Sequence, residues 1–206
     1  MIRRGAWRRC VAFFALPGAV AACDSGTTEP IPQRPNLILI LTDDLDWKSM
    51  SYLPRLQRLA DDGATFQNFF VTTPVCAPSR ATMLRGQFAH NHGVFVNGGD
   101  VRGFDRFRDL GRESSTIATW LKSAGYRTAF LRKYMNGYPD FASHVPQGWS
   151  EWFAVLDKYF DYRVNDNGRI VEYHGTDNYE TDVIASKAAE FMRRWAADET
   201  PFFIYI

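Results

Sequence analysis

The feature that most constrains this sequence is an uninterrupted apolar run at residues 36–42 (NLILILT). The run is short, consists mainly of Leu and Ile, and does not alternate with polar residues. Such a pattern is typical of a strand that is buried on both faces of a parallel sheet. A second run of the same kind occupies residues 201–206 (PFFIYI). Helical patterns lie between the two runs, which predicts an α/β fold.

Turn and cap signals divide the rest of the chain into strands and helices. Further strands are predicted at residues 126–131, 149–155, 64–71 and 159–164. Helices are predicted at residues 54–62, 78–85, 116–124 and 181–197. The fold class that we expect is α/β, with a largely parallel mixed sheet flanked by helices. Because the last apolar run stops inside a predicted strand, we also expect a domain that is truncated at its C-terminus.

The first 34 residues differ in character from the rest. Four arginines, an apolar run that ends at Ala22 and then Cys23 predict a secretory signal at residues 1–22. The sequence around Cys23 resembles a lipobox, which predicts lipidation of that cysteine; the alternative is an ordinary signal cleaved near Ala22. Residues 23–34 then form a flexible tether rich in Pro, Ser, Thr and Gly. We therefore expect an exported lipoprotein, anchored to a membrane and facing the periplasm or the cell exterior.

The charge balance excludes a nucleic-acid binder that depends on bulk positive charge. Lys and Arg number 24 against 23 Asp and Glu, which gives a net charge of +1. The arginines of the predicted signal account for this excess, so the mature chain is mildly acidic. Three cysteines are also too few for a disulfide scaffold.

Two polar clusters could carry chemistry. Asp43 and Asp44 directly follow the first buried strand, and ligands bind at the carboxyl ends of strands in open α/β sheets. Adjacent carboxylates repel each other unless a cation such as Ca²⁺ or Mg²⁺ holds them; the alternative is a solvated acidic turn or a helix cap.

Cys76 lies just before a predicted helix, where free backbone N–H groups favour an anion, and Arg80 is one turn further on. Taken alone, Cys76 and Arg80 favour a buried cysteine and a surface ion pair.

Taken together, the two clusters resemble the type I sulfatase family of the alkaline-phosphatase superfamily. The resemblance depends on the acidic end of the first strand and on residues 75–86 (VCAPSRATMLRG), whose C-x-P-S-R core is highly specific. Other segments are most similar to the N-acetylglucosamine-6-sulfatase branch, at residues 87–94, 132–138, 148–152 and 179–182. The resemblance extends over residues 35–206, as the N-terminal part of a sulfatase catalytic domain.

The resemblance implies a role for each residue of these clusters. In the family the motif cysteine, here Cys76, is oxidised to Cα-formylglycine by a formylglycine-generating enzyme. One hydroxyl of the hydrated aldehyde attacks sulfur and displaces the substrate alcohol, and the second hydroxyl then lets sulfate leave. Asp43, Asp44 and the modified Cys76 match metal ligands, usually for Ca²⁺, with Mg²⁺ as the alternative. Arg80 matches an arginine that positions these groups, and Lys133 matches a catalytic lysine that binds the sulfate oxygens.

Two residues in the loop after the motif helix are candidates for the substrate pocket. His92 and Asn97 are predicted to line it; the alternative for His92 is hydrogen bonding to the backbone of its own loop. Many sulfatases place a histidine two residues after the lysine, and here that position is Met135. This departure fits the glucosamine-6-sulfatase-like branch and leaves one acid–base group unidentified.

The predicted function is hydrolysis of a sulfuric ester on a sulfated sugar similar to glucosamine 6-sulfate. One alternative is an aryl sulfate, an alkyl sulfate or a phosphonate ester as the substrate of the same active centre. Another is a catalytically incomplete lipoprotein fragment, because the family draws its second metal pair and another sulfate-binding lysine from segments after a strand like residues 201–206. The predicted partners are the sulfated carbohydrate, the maturation enzyme and a membrane, with no nucleic acid.

Overall fold

The computed structural model describes residues 34–99, 103–157 and 159–206. The predicted signal segment and the predicted lipidation site, Cys23, lie outside the described residues. Among the helices that are described, none combines the length and the apolar character needed to cross a bilayer.

Six strands form one mixed sheet. They are β1 (Leu37–Leu39), β2 (Arg127–Arg132), β3 (Glu151–Val155), β4 (Tyr162–Asp166), β5 (Arg169–Tyr173) and β6 (Phe202–Tyr205). Their spatial order is β1-β6-β2-β3-β4-β5. The first four strands in this order are parallel, whereas β4 and β5 are added in antiparallel fashion. This confirms the prediction of a largely parallel mixed sheet.

The two apolar runs occupy different positions in this sheet. All residues of β6 are buried, because β6 lies between β1 and β2 and its side chains pack into the cores on both faces of the sheet. In contrast to the prediction of burial on both faces, β1 lies at the edge of the described sheet, and Ile38 is 47% exposed. An edge strand keeps the same backbone geometry as an interior one, so the apolar run alone does not distinguish the two positions.

Helices pack on both faces of the sheet. The α-helices of the described chain are α1 (Pro54–Asp62), α2 (Cys76–Arg85), α3 (Ala89–His92), α4 (Gly103–Asp109), α5 (Ile117–Ser123) and α6 (Glu180–Ala196). Of these, α2, α4, α5 and α6 contribute to the cores on the sheet, whereas α1 has no buried residue. On one face, α2, α4 and α5 share a core with Phe130, Trp152 and Phe203. On the other face, α6 packs its apolar stripe against Leu131 and Phe153. Successive side chains of β2 point to opposite faces, so this strand contributes to both layers.

One predicted strand is absent from the described structure. Residues 64–71 form irregular chain with a turn at the centre. Each phenylalanine of this segment is more than three-quarters exposed, namely Phe66, Phe69 and Phe70. Strand propensity reflects packing against neighbours, and this segment pairs with none of the described strands. The strand predicted at residues 159–164 begins later than expected, at Tyr162.

Gly148→Ala is expected to destabilise the fold strongly. Gly148 has φ +93°, and a Cβ there would lie 2.5 Å from the backbone nitrogen of Thr119 in α5. Because strain and a clash with backbone add, we expect a loss of about 2–4 kcal/mol in the free energy of unfolding, measured by urea denaturation. Gly111→Ala is the matched control, since Gly111 has φ +64° and open space at the Cβ position. A loss of the same size in both variants would refute the clash.

Candidate active site

The order of the strands brings the reactive residues to one edge of the sheet. β1 and β2 flank β6 and run parallel to it, so the chain leaves both strands at the same edge. Asp43 and Asp44 come shortly after β1, and Lys133 directly follows β2. Cys76 is the first residue of α2 and reaches the same place. The structure therefore brings together the predicted nucleophile, the predicted metal ligands and the predicted sulfate-binding lysine.

Asp43, Asp44 and Cys76 form a group that could hold a metal ion. Each offers one ligand atom, and these atoms lie within 4.8 Å of one another. In a regular strand, neighbouring side chains point to opposite faces of the sheet. Asp44 has a left-handed backbone with φ 56°, which departs from strand geometry and allows the neighbouring carboxylates of Asp43 and Asp44 to belong to the same ligand group. Carboxylate oxygens suit a hard cation such as Ca²⁺, which takes about 6–8 oxygen ligands. The donor set fits a divalent cation, and these three residues would supply part of its shell.

Asp43 is held by two cationic side chains. Its Oδ2 accepts a hydrogen bond from Lys133 Nζ at 2.7 Å, and its Oδ1 accepts one from Arg80 Nη2 at 3.3 Å. Arg80 is only 5% exposed and also donates to the backbone oxygen of Lys133 at 2.6 Å. Burial alone would raise the pKa of Asp43, but the hydrogen bond and charge of Lys133 and the charge of Arg80 outweigh it and lower that pKa. Asp43 is therefore ionised at neutral pH.

Asn97 lies near Cys76 and binds the first turn of α2. Its Oδ1 accepts a hydrogen bond from Ala77 N at 2.7 Å. Val75 precedes α2 and offers no side-chain cap, so Asn97 satisfies a backbone donor that the motif itself leaves free. Asn97 thus fixes the helix end that carries Cys76, and its place in a substrate pocket stays a prediction.

His92 lies inside the protein, which corrects the prediction that it lines the substrate pocket. The residue is fully buried, its Nδ1 accepts from Val94 N at 3.1 Å, and its Nε2 lies 3.0 Å from Thr82 Oγ1. Because Nδ1 is an acceptor, Nε2 carries the proton and donates to Thr82. The imidazole therefore joins its loop to α2. Burial, aided by the charges of Arg112 and Arg85, lowers the pKa of His92.

A cavity of about 1060 Å³ opens beside the reactive cluster. Asp43, Arg132 and Lys133 line one part of it, and the chain between β3 and β4 lines another part. Arg132 donates through Nε to the Glu180 carboxylate at 2.6 Å, a partly buried contact that sequence reasoning missed. The available signal was the segment at 179–182, which contains Glu180. Met135 also borders the cavity, although its side chain is almost completely buried.

A sulfatase family model matches residues 35–206 and includes every residue of the cluster. The chain belongs to the sulfatase family. This finding confirms the resemblance that was based on the acidic strand end and on the C-x-P-S-R motif.

Known proteins show how much of a sulfatase this chain represents. It is 41% identical over 169 residues to the extracellular sulfatase SULF-1 homologue of Drosophila melanogaster, covering 78% of this chain and 15% of that protein. It is 36% identical over 187 residues to the N-acetylglucosamine-6-sulfatase of Homo sapiens, covering 84% and 34%. A solved structure in complex with its substrate D-glucosamine-2-N,6-O-disulfate matches with a TM-score of 0.64 and 27% identity, over 84% of this chain and 33% of that one. The chain thus spans about a third or less of the length of these relatives.

The buried His92 is expected to make the stability of this sulfatase depend on pH. Its pKa in the folded state lies below the ordinary 6.5, so the unfolded chain takes up the proton first as the pH falls. The free energy of unfolding is therefore highest above about pH 6.5 and decreases below it. His92→Asn, which keeps an acceptor for Val94 N, is expected to lower stability at neutral pH and to flatten this dependence.

Urea denaturation at a series of pH values measures both effects. His174→Asn is the control, because the side chain of His174 is 70% exposed. If His92→Asn kept the full pH dependence of the unchanged protein, the buried neutral imidazole would not be its source.

Proposed function

We propose that this protein hydrolyses sulfuric esters of sulfated sugars, using a formylglycine made from Cys76 and a divalent cation. The observation that carries the proposal is one cluster in which Asp43, Asp44 and Cys76 meet Lys133 and Arg80. Such a cluster combines a nucleophile position, a cation site and a fixed positive charge at one point. Membership of the sulfatase family supports the same chemistry.

The side chains of the cluster have different tasks. The formylglycine at position 76 supplies a nucleophilic hydroxyl when its aldehyde is hydrated. Asp43, Asp44 and residue 76 would hold the divalent cation, which would supply Lewis-acid polarisation of the sulfate oxygens. Lys133 offsets the negative charge of the sulfate group. Arg80 is buried and bonds both Asp43 and the backbone of Lys133, so it positions these groups rather than binding substrate.

A sulfated amino sugar is the substrate class that we propose. One relative carries the name N-acetylglucosamine-6-sulfatase, and one matched structure contains D-glucosamine-2-N,6-O-disulfate as its substrate. An aryl sulfate is the second candidate, since the arylsulfatase of Volvox carteri is 34% identical over the whole of this chain. The cluster itself recognises a tetrahedral anion, which both candidates share.

We further propose that the protein is exported, lipidated at Cys23 and matured by a formylglycine-generating enzyme. The arginine-rich start and the apolar run after it support export, as do the extracellular sulfatases among the relatives. Mass spectrometry of the peptide that contains Cys76 tests maturation, because conversion of the –CH2–SH group to an aldehyde removes the sulfur and two hydrogens and adds one oxygen. An unmodified thiol in protein from the native host would overturn that step. Metabolic labelling with a radioactive fatty acid tests the anchor.

Asp44→Asn is expected to weaken Ca²⁺ binding by at least about tenfold, because it removes a charged oxygen ligand. Isothermal titration calorimetry with Ca²⁺ measures the affinity. Asp46→Asn is the matched control, since Asp46 accepts from Lys48 N at 2.8 Å to cap the helix Trp47–Tyr52 and lies outside the ligand group. Equal affinities of Asp44→Asn and the unchanged protein would argue against a cation at this position.

Lys133→Met is expected to lower kcat/KM for sulfate release from glucosamine 6-sulfate by about 10²–10³-fold, because it removes a fixed charge at the reacting anion. The assay uses the full-length matured protein and compares glucosamine 6-sulfate, an aryl sulfate and a phosphonate ester. Lys122→Met is the control, since Lys122 donates to the backbone oxygen of Trp149 and does not line the cavity. Absence of sulfate release from every sulfated substrate would reject the proposed function.

A further inference from the structure

We propose that the cavity beside the reactive cluster contains a saccharide subsite in which Tyr159 and Phe160 bind the face of a pyranose ring. The inference rests on the proposed function, because it assigns a binding place to the part of the substrate that is not sulfate. These two residues are called the aromatic shelf.

The topology places the aromatic shelf beside the predicted sulfate-binding lysine. β2 and β3 are parallel neighbours, so the chain leaves both strands at the same edge of the sheet. Lys133 directly follows β2, and the shelf belongs to the loop that joins β3 to β4. All three residues line the same cavity. A ligand whose sulfate is held at Lys133 therefore extends towards the shelf.

The aromatic shelf presents open ring surface to a ligand. Tyr159 is 51% exposed and Phe160 is 49% exposed. The centroid of the Phe160 ring lies 5.1 Å from that of the Tyr179 ring, so the two rings are in contact. The face of an aromatic ring carries negative partial charge and attracts polarised C–H groups, and a pyranose presents several of these on one face.

A short series of contacts fixes the shelf relative to the cationic side of the cavity. The backbone oxygen of Tyr159 accepts from Glu180 N at 2.9 Å, and the Glu180 carboxylate accepts from Arg132 at 2.6 Å. Arg132 directly precedes Lys133. Glu180 is 4% exposed and is the first residue of α6, so the centre of the connection is buried and anchored in a long helix. This pre-organisation reduces the ordering that a ligand must impose on binding.

The cavity is larger than a sulfate ion requires. Its volume of about 1060 Å³ is at the upper end of the range for small-molecule sites, about 300–1,000 Å³. Arg132 and Lys133 line one part, where each is paired with a carboxylate, and the aromatic shelf supplies ring surface in another. This separation matches a ligand with an anionic group attached to a ring that has an apolar face. A free sulfate ion would use the first part alone.

Equilibrium binding separates the shelf from the sulfate site. Glucosamine 6-sulfate, inorganic sulfate and unsulfated glucosamine are titrated by calorimetry, with Ca²⁺ present, against the full chain in which Cys76 is not converted to formylglycine, so that no turnover disturbs the equilibrium. Phe160→Ala is expected to weaken binding of glucosamine 6-sulfate by about three- to tenfold and to leave inorganic sulfate binding unchanged. Phe160→Tyr is expected to retain the affinity, because it keeps the ring. Phe66→Ala is the matched control, since Phe66 is 78% exposed and does not line the cavity.

Three results would overturn the inference, and they differ in what else they affect. If Phe160→Ala binds glucosamine 6-sulfate like the unchanged protein while Lys133→Met binds it weakly, the sulfate site stands and the shelf is wrong. If Phe160→Ala weakens inorganic sulfate to the same extent, the substitution acts on the whole site and the shelf is wrong. If the unchanged protein binds neither sulfate nor glucosamine 6-sulfate, the proposed function fails together with the shelf.

Discussion

The paired contacts of Asp43 connect three separate parts of the chain: the end of β1, helix α2 and the end of β2. Lys133 and Arg80 bond different oxygens of one carboxylate, and Arg80 also bonds the carbonyl of Lys133. An exposed ion pair contributes about 0–1 kcal/mol, but Arg80 is buried, so loss of Asp43 would leave its charge uncompensated. Cys76 precedes Arg80 by about one helical turn, so the same contacts determine where the thiol lies relative to the carboxylates.

The charges of the reactive cluster bear on whether a cation or an anion would bind to it first. Two carboxylates, Asp43 and Asp44, face two fixed cations, Arg80 and Lys133, so the cluster carries little net charge by itself. A bound divalent cation would make the cluster positive, and a sulfate group would then be attracted to it. The lowered pKa keeps Asp43 ionised at neutral pH, and it is therefore ready for the cation. Anion binding would thus be favoured after cation binding.

The reactive residues can be predicted from the sequence because they lie at the ends of regular elements. The apolar run before Asp43 and the helix pattern just after Cys76 are visible in the sequence, and a parallel sheet brings such ends together. No comparable pattern shows whether a loop histidine such as His92 points inward, or whether residues 64–71 find a neighbouring strand. The pair of Arg132 and Glu180 joins residues 48 positions apart, and only the folded chain reveals a contact of that kind.

Backbone strain is concentrated where these elements end. In the described part of the chain, the non-glycine residues with positive φ are Asp44, Arg132, Asp161 and Asn167. Asn167 lies in the tight turn between β4 and β5, whereas the other three border the reactive cluster or its cavity. A left-handed residue costs about 1–3 kcal/mol and persists only where its surroundings enforce it. At Arg132 the bond to Glu180 holds the side chain, and the next carbonyl is bonded by α2. These contacts offset the strain and turn the chain out of β2, which directs the Lys133 ammonium to Asp43.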